Sequence, residues 1–85
     1  MRDLDDWALI ARAQSGNTEA FATLVRRYQT PVIHFCYRMV GSRQDAEDVA
    51  QEVFVRLHRY LARLAPQAKF STVLFGMARN LTLNH

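Results

Sequence analysis

The stretch from Asp45 to Leu61 constrains the fold most, because its apolar residues recur with the period of an α-helix. At about 100° per residue, one arc collects the apolar side chains of Ala46, Val49, Ala50, Val53, Phe54, Leu57, Tyr60 and Leu61. The opposite arc collects Asp48, Gln51, Glu52 and Arg59, with Val55 among them. An apolar residue inside a face of acids and amides is typical of a docking surface for a basic protein partner. The alternative is a solvated face with one stray exposed valine, and periodicity alone favours that alternative.

Boundary signals predict three further helices. The first runs roughly from Leu4 to Gln14, with Asp5 and Asp6 in its first turn, and Ser15-Gly16 ends it. The second begins after the N-cap Asn17, is expected to kink at Pro31, and ends at Gly41. Ser42 caps the third helix, which reaches residues 61–64; a loop over residues 65–68 follows, and Ser71 is the expected N-cap of the fourth.

Apolar spacing also predicts which residues fill the core. The second helix is expected to bury Phe21, Leu24, Val25, Tyr28, Val32, Phe35, Cys36 and Met39. The fourth is expected to bury Val73, Leu74, Met77, Ala78 and Leu81. The predicted fold class is all-α, a compact bundle of about four helices, with residues 1–85 forming one domain.

Composition favours a soluble cytoplasmic protein. Of the 85 residues, 49% are hydrophobic. The sequence nevertheless contains no long uncharged apolar run of the kind that inserts into a membrane. The acidic start Met1–Asp6 does not resemble a signal peptide, and one cysteine excludes an internal disulfide framework. The net charge is +3, and residues 61–85 carry Arg63, Lys69 and Arg79 without an acid, which suits a phosphate-bearing partner.

The sequence does not suggest an enzyme. Asp3, Asp5 and Asp6 could form a metal site, but a solvated helix start explains them better. His34 and Cys36 stand two residues apart on a helix and therefore point to different faces. His58 has no evident acid or nucleophile partner in the sequence, so we expect no catalytic residue, no metal and no cofactor.

Two motifs carry a family resemblance. Asp45–Arg56 reads DAEDVAQEVFVR, and Lys69–Asn80 reads KFSTVLFGMARN. Together they resemble region 2 of bacterial sigma factors, closest to the extracytoplasmic-function (ECF) group, which typically has D-A-E-D-x-x-Q-E-x-F-x-R and then F-x-T-W-L-x-x-I-A-R-N. The chain departs from the second pattern at Val73, where Trp is usual, and at Met77, where Ile is usual. The paired tryptophans that housekeeping sigma factors use in melting are also absent near Gly76 and Met77, as is normal for this group.

The resemblance implies roles for named residues. The acidic helix would dock on the coiled-coil clamp helices of the RNA polymerase β′ subunit, and its candidate contacts are Asp48, Gln51, Glu52, Val55 and Arg56. The following loop and last helix would bind the non-template strand of the promoter −10 element and hold a flipped-out base. The candidate DNA contacts are Arg63, Lys69, Phe70, Ser71, Thr72, Phe75, Arg79 and Asn80. An anti-sigma factor is a further expected partner. Because the chain stops at His85, before the basic tail and the −35-reading domain of the family, we expect an excised domain.

A second function class stays open at this point. A sigma-like bundle could bind polymerase or an anti-sigma factor without reading DNA. Phe75, Arg79 and Asn80 discriminate, since DNA recognition requires them to be exposed together. Arg27, His34 and Arg38 share the outer side of the second helix and could touch phosphate, although a solvated face explains them as well.

Overall fold

Four α-helices and one short 3₁₀ turn make up the computed structural model, which describes residues 4–85. The elements are α1 (Asp6–Gln14), α2 (Thr18–Val40), α3 (Arg43–Arg59), the 3₁₀ turn Leu61–Arg63 and α4 (Phe70–Leu83). The predicted all-α bundle is confirmed, and residues 4–85 contain no strand. In the same range no helix combines the length and apolarity that crossing a membrane requires.

Helix ends follow local cap chemistry. Asn17 accepts a hydrogen bond from the Ala20 amide (3.1 Å), as predicted for the α2 N-cap. Gly16 and Gly41 have φ angles of 99° and 76°, in the region that glycine tolerates best, so both predicted stops are confirmed. Asp5 is itself the α1 N-cap and accepts from the Ala8 amide (2.8 Å), so α1 begins two residues later than the predicted start at Leu4.

The prediction that Ser71 caps α4 was wrong. The helix already begins at Phe70, Lys69 occupies the N-cap position, and no side chain caps this end. Pro31 lies exposed inside α2, which continues as one helix from Thr18 to Val40, and the kink at Pro31 stays a prediction.

The core lies around α2, which packs against all three other helices. The largest fully buried side chains of the core are Ile10 from α1, Leu24, Val32 and Cys36 from α2, Val53 and Leu57 from α3, and Leu74 from α4. Tyr28 and Phe54 pack against this cluster from its edge. Burial raises the pKa of the Cys36 thiol, which behaves as a small apolar core residue.

Two residues assigned to the core are exposed. Met39 lies in the last turn of α2, one residue before the end of the helix, and is 43% exposed. Tyr60 is the C-cap of α3 and is 44% exposed. The backbone leaves the helical path at Tyr60 (φ −95°, ψ 10°), so a position on the helical wheel no longer predicts its direction.

Candidate functional site

The outward face of α3 is formed as the sequence predicts. Ala46, Val49, Ala50, Val53 and Leu57 are buried on the inner face. Asp48 and Gln51 are exposed opposite to them, and Val55 between them is 43% exposed. We name Asp48, Gln51, Glu52, Val55 and Arg56 the α3 surface.

Two members of the α3 surface pair with each other. The Arg56 Nε donates to the Glu52 carboxylate at 3.1 Å, one helical turn away. Both side chains are nearly half exposed, so the pair contributes only about 0.3–0.5 kcal/mol to stability. It nevertheless holds the Glu52 carboxylate on the side of α3 away from Gln51.

Val55 borders an apolar groove between α2 and α3. The cavity has a volume of about 560 Å³. Its apolar lining is Phe21, Val25, Ile33, Ala50, Phe54 and Val55, and its polar lining is Gln29, Glu47, Gln51 and His58. The His58 ring meets the Phe21 ring edge-on, with centroids 5.0 Å apart. Val55 is therefore part of a continuous apolar surface, a feature that the sequence analysis missed. The only sequence signal for this apolar surface is Phe54, which belongs to the apolar arc of α3 and is half-buried in the structure.

The loop between α3 and α4 is fastened to α1 by side chains. The Gln14 amide donates to the carbonyls of Leu61 and Leu64, both at 2.9 Å. The Trp7 indole N–H donates to the Ala68 carbonyl at 2.8 Å. These bonds hold both ends of the loop, and the sequence analysis identified neither residue because their partners lie 47 to 61 positions away.

Phe70 lies inside the protein and not on its surface. It is 2% exposed, and its ring packs against Trp7 (5.6 Å between centroids) and Tyr28 (5.7 Å). The prediction that Phe70 contacts DNA is therefore corrected: a side chain so buried can only position the start of α4. The motif predicts the residue type at position 70 but not the direction of its side chain.

Asp6 joins α1 to α2 directly below this ring cluster. Its carboxylate accepts from the Arg27 guanidinium at 2.8 Å and from the Tyr28 hydroxyl. Burial, followed by the hydrogen bond to Asp6 and the charge of Asp6, raises the pKa of Tyr28 to about 12. Arg27 is engaged in this ion pair and is not a free phosphate contact. No group of three or more potential ligands that could hold a metal occurs among residues 4–85, and Asp3 lies outside the described residues.

The remaining DNA candidates fall on two sides of α4. Thr72, Arg79 and Asn80 are exposed, whereas Phe75 is half-buried against Phe35 (5.5 Å between centroids) and Tyr28 (6.4 Å). Phe75 borders a groove with His34 and Arg38 of α2. Asn80 borders a different groove, with Arg56, Tyr60 and Leu64. Phe75 and Asn80 are thus not brought together.

Other α4 and loop residues have mixed exposure. Ser71 is half-buried, and Lys69 and Arg63 are exposed, with the Arg63 guanidinium 5.8 Å from the centre of the Tyr60 ring. Thr82 is only 8% exposed, and its hydroxyl donates to the Arg79 carbonyl at 2.8 Å. We name Arg63, Lys69, Ser71, Thr72, Phe75, Arg79 and Asn80 the loop–α4 surface.

The model of the Sigma-70 region 2 family matches residues 24–85, most of the described chain. The chain belongs to this family. The Bacillus subtilis ECF RNA polymerase sigma factor SigW is 39% identical over 75 residues, which is 88% of this chain and 40% of SigW. The Pseudomonas aeruginosa RNA polymerase sigma-H factor is 38% identical over 80 residues, which is 94% of this chain and 42% of that protein. The resemblance to ECF sigma factors is confirmed.

A solved region 2 structure has the same fold. It is an NMR structure of the complex formed by an engineered region 2 of sigmaE with GTAAAA; its TM-score to this chain is 0.88 at 40% identity, covering 99% of this chain and 88% of that one. The chain spans about two fifths of the length of the curated relatives named above.

Proposed function

We propose that this chain is the core-binding and −10-recognition domain of an ECF-type sigma factor. The α3 surface binds the β′ clamp helices of RNA polymerase, and the loop–α4 surface binds the non-template strand of the −10 element and assists its melting. The observation that carries the proposal is that one core presents two chemically different surfaces. Acids and an amide surround Val55 on α3, whereas residues 61–85 contain three cations and no acid.

The polymerase contact is supported by the exposed apolar area on α3. Asp48 and Gln51 supply charge and hydrogen-bonding groups for a basic helix, and Val55 with the adjoining groove supplies apolar contact. This combination of an apolar centre and a polar rim is typical of protein interfaces. The carboxylate of Glu52 is oriented by its hydrogen bond from Arg56, and Arg56 borders a groove next to α4.

The DNA contact is supported by the start of α4 and the braced loop. The positive end of the α4 dipole is uncapped by any side chain, and Lys69 stands beside it, so this end favours phosphate. Holding an extruded base requires a loop that stays in place, since extrusion costs a few kcal/mol. The bonds from Gln14 and Trp7 supply that order. The sigmaE region 2 bound to GTAAAA supports the same use of this fold.

The proposed domain includes all of residues 1–85. The family match begins at residue 24, but Ile10 of α1 is 1% exposed within the shared core, so α1 is part of the same unit. The domain would act in the cytoplasm with core polymerase and promoter DNA, and an anti-sigma factor is a further proposed partner.

A protein-interaction module that does not read DNA is the second candidate. The half-buried ring of Phe75 and the separate groove of Asn80 favour it, because the three α4 residues do not form one stacking and reading site. The α2–α3 groove would serve this function equally well. The first experiment tests the polymerase contact, which both candidates share, and the second experiment separates the candidates.

The first experiment measures binding of the chain to a β′ clamp-helix fragment by calorimetry. The double reversal Asp48→Lys with Glu52→Lys is expected to weaken binding by about 1–3 kcal/mol, because opposite charges in a partly desolvated interface are replaced by like charges. Glu19→Lys, an exposed acid on α2, is the matched control and should change affinity little. Unchanged affinity in the folded double variant would refute the polymerase contact.

The second experiment compares a single strand carrying the −10 sequence with the matching duplex, for the chain alone and assembled with core polymerase. The single strand is expected to bind more tightly, because its bases are already unstacked. Arg79→Ala should weaken all sequences alike and reduce the salt slope by about 0.7 for one phosphate contact on a single strand, whereas Asn80→Ala should relax base preference. Arg12→Ala on α1 is the control. Equal binding of strand and duplex by the assembled complex would favour the protein-interaction module.

A further inference from the structure

The middle of the chain has an unusual charge distribution. Residues 20–44 contain four arginines and no acid. Arg26 pairs with Glu19 at 3.8 Å and Arg27 with Asp6 at 2.8 Å. Within residues 4–85, Arg38 and Arg43 form no ion pair. Two uncompensated cations therefore remain at the C-terminal half of α2 and the start of α3.

An exposed aromatic ring lies near these cations, since Tyr37 precedes Arg38 in α2 and borders the same groove as Arg43. Tyr37 is 49% exposed, although the adjacent Cys36 is completely buried. His34 is exposed one turn before Tyr37 and Arg38, and side chains three and four residues apart on a helix are neighbours. We name His34, Tyr37, Arg38 and Arg43 the α2 patch.

The α2 patch is continuous with Phe75 of the loop–α4 surface. One groove, of about 350 Å³, is bordered by Thr30, His34, Arg38 and Phe75. A second, of about 380 Å³, is bordered by Thr30, His34, Tyr37 and Arg43. Because Thr30 and His34 line both grooves, a path runs over the surface from the ring of Phe75 to the ring of Tyr37, with cations along it.

We propose that the α2 patch is an additional subsite for single-stranded DNA, which binds nucleotides that flank those held by the loop–α4 surface. Tyr37 stacks on a base, and Arg38 and Arg43 contact phosphates on either side of it. This proposal rests on the proposed function and extends its binding site from α4 onto α2.

A nucleic-acid strand fits the α2 patch better than a protein segment does. Arg38 and Arg43 near the exposed Tyr37 ring match the phosphates that flank a base along a strand, and stacking on a ring tolerates any base. An acidic peptide would satisfy the arginines but would leave the Tyr37 ring without a flat partner.

The test compares strands of different length on the 85-residue chain by fluorescence anisotropy. The reference is a hexanucleotide carrying the −10 sequence, and the probes add four nucleotides at its 5′ or its 3′ end. Extension at one end is expected to tighten binding by roughly 5- to 150-fold, which corresponds to stacking of one base. An extension of abasic nucleotides should retain the phosphate share of this gain and lose the stacking share.

Variants of the chain then show which residues cause the tighter binding of the extended strand. Tyr37→Ala should abolish most of it, while Tyr37→Phe should keep it, because the ring is retained. Arg38→Ala should reduce it and lower the salt slope by about 0.7. Arg26→Ala is the control, since it removes the same charge from the same helix at a position already paired with Glu19. Binding of the hexanucleotide should be nearly the same in all four variants.

The outcomes separate this proposal from the proposed function. If the hexanucleotide binds but neither extension tightens binding, the α2 patch is not a DNA subsite and the proposed function stands. A gain that survives Tyr37→Ala together with Arg38→Ala would also overturn the assignment to α2. If the hexanucleotide itself fails to bind to the chain and to its complex with core polymerase, the proposed DNA function is refuted.

Discussion

The α3 surface and the α3–α4 loop stand on the same core but are held in place differently. Residues 48–56 belong to one continuous helix, and its backbone hydrogen bonds fix the face of the helix on which each side chain lies. Residues 61–69 contain only a short 3₁₀ turn, and their carbonyls are held by Gln14 and Trp7 from α1. The α3 surface therefore depends on local helix geometry, whereas the α3–α4 loop depends on contacts with a helix that is distant in sequence. Loss of the hydrogen bonds from Gln14 and Trp7 should therefore affect the DNA side alone, whereas changes in the core should affect both.

The largest expected effect removes the support that both surfaces share. Leu57 is fully buried at the centre of the core, so Leu57→Ala should lower the free energy of unfolding by about 2–5 kcal/mol. Clamp-fragment binding and strand binding should then be lost together, in proportion to the unfolded fraction. Leu83→Ala, at a position 62% exposed, should change stability by less than about 0.5 kcal/mol in the same urea titration. Loss of only one binding activity in Leu57→Ala would show that the two surfaces do not depend on one core.

A smaller effect should separate the two surfaces. Gln14→Ala removes two hydrogen bonds to the loop and should lower stability by about 1–2 kcal/mol. Hydrogen exchange of the amides in residues 61–69 should accelerate, and binding of the −10 strand should weaken, while clamp-fragment binding stays the same. Gln44→Ala, an exposed glutamine at the start of α3, is the matched control. Equal losses of strand and clamp binding would contradict the separate support of the loop.

On the α3 side, the ion pair should matter even less to stability. A double-mutant cycle of Glu52→Ala and Arg56→Ala should give a coupling energy of about 0.3–0.5 kcal/mol, because the pair is exposed. Strand binding should not change in either variant. A coupling above about 1 kcal/mol would mean that the α3 surface also needs side-chain support.

The last effect is confined to alkaline pH. The pKa of Tyr28 is raised above its usual 10 to about 12, so the folded protein disfavours the phenolate. Its contribution to stability is therefore complete below pH 10 and is lost as the pH rises through the range from 10 to 12. The unfolding free energy of the natural chain should fall across this range, and Tyr28→Phe should reduce the slope. An ultraviolet titration that shows Tyr28 ionising with the exposed tyrosines would contradict this prediction.

Features with a local cause could be predicted from the sequence. The cap at Asn17, the stop at Gly41 and the inner stripe of α3 depend on neighbours within four residues, and all three are confirmed. The exposure of Val55 follows from the same period. The family motifs also predicted the fold, since the match covers most of the chain.

Features with a distant cause could not be predicted. The bonds of Trp7 and Gln14 join residues 47 to 61 positions apart, and no local pattern encodes such a partner. Phe70 was taken for a DNA contact because a motif gives the residue type without its burial, which is decided by packing on Trp7 and Tyr28. Tyr60 was misplaced because the helix ends just before it.

The buried Cys36 provides an intrinsic probe of these ideas. It is the only cysteine of the chain, it is fully covered by α2 and its neighbours, and its raised pKa keeps it in the unreactive thiol form. A thiol reagent can therefore reach Cys36 only when the bundle opens, and the rate of labelling measures how often the whole core opens. Variants that destabilise only the α3–α4 loop should leave the labelling rate of Cys36 unchanged, and variants that destabilise the core should increase that rate.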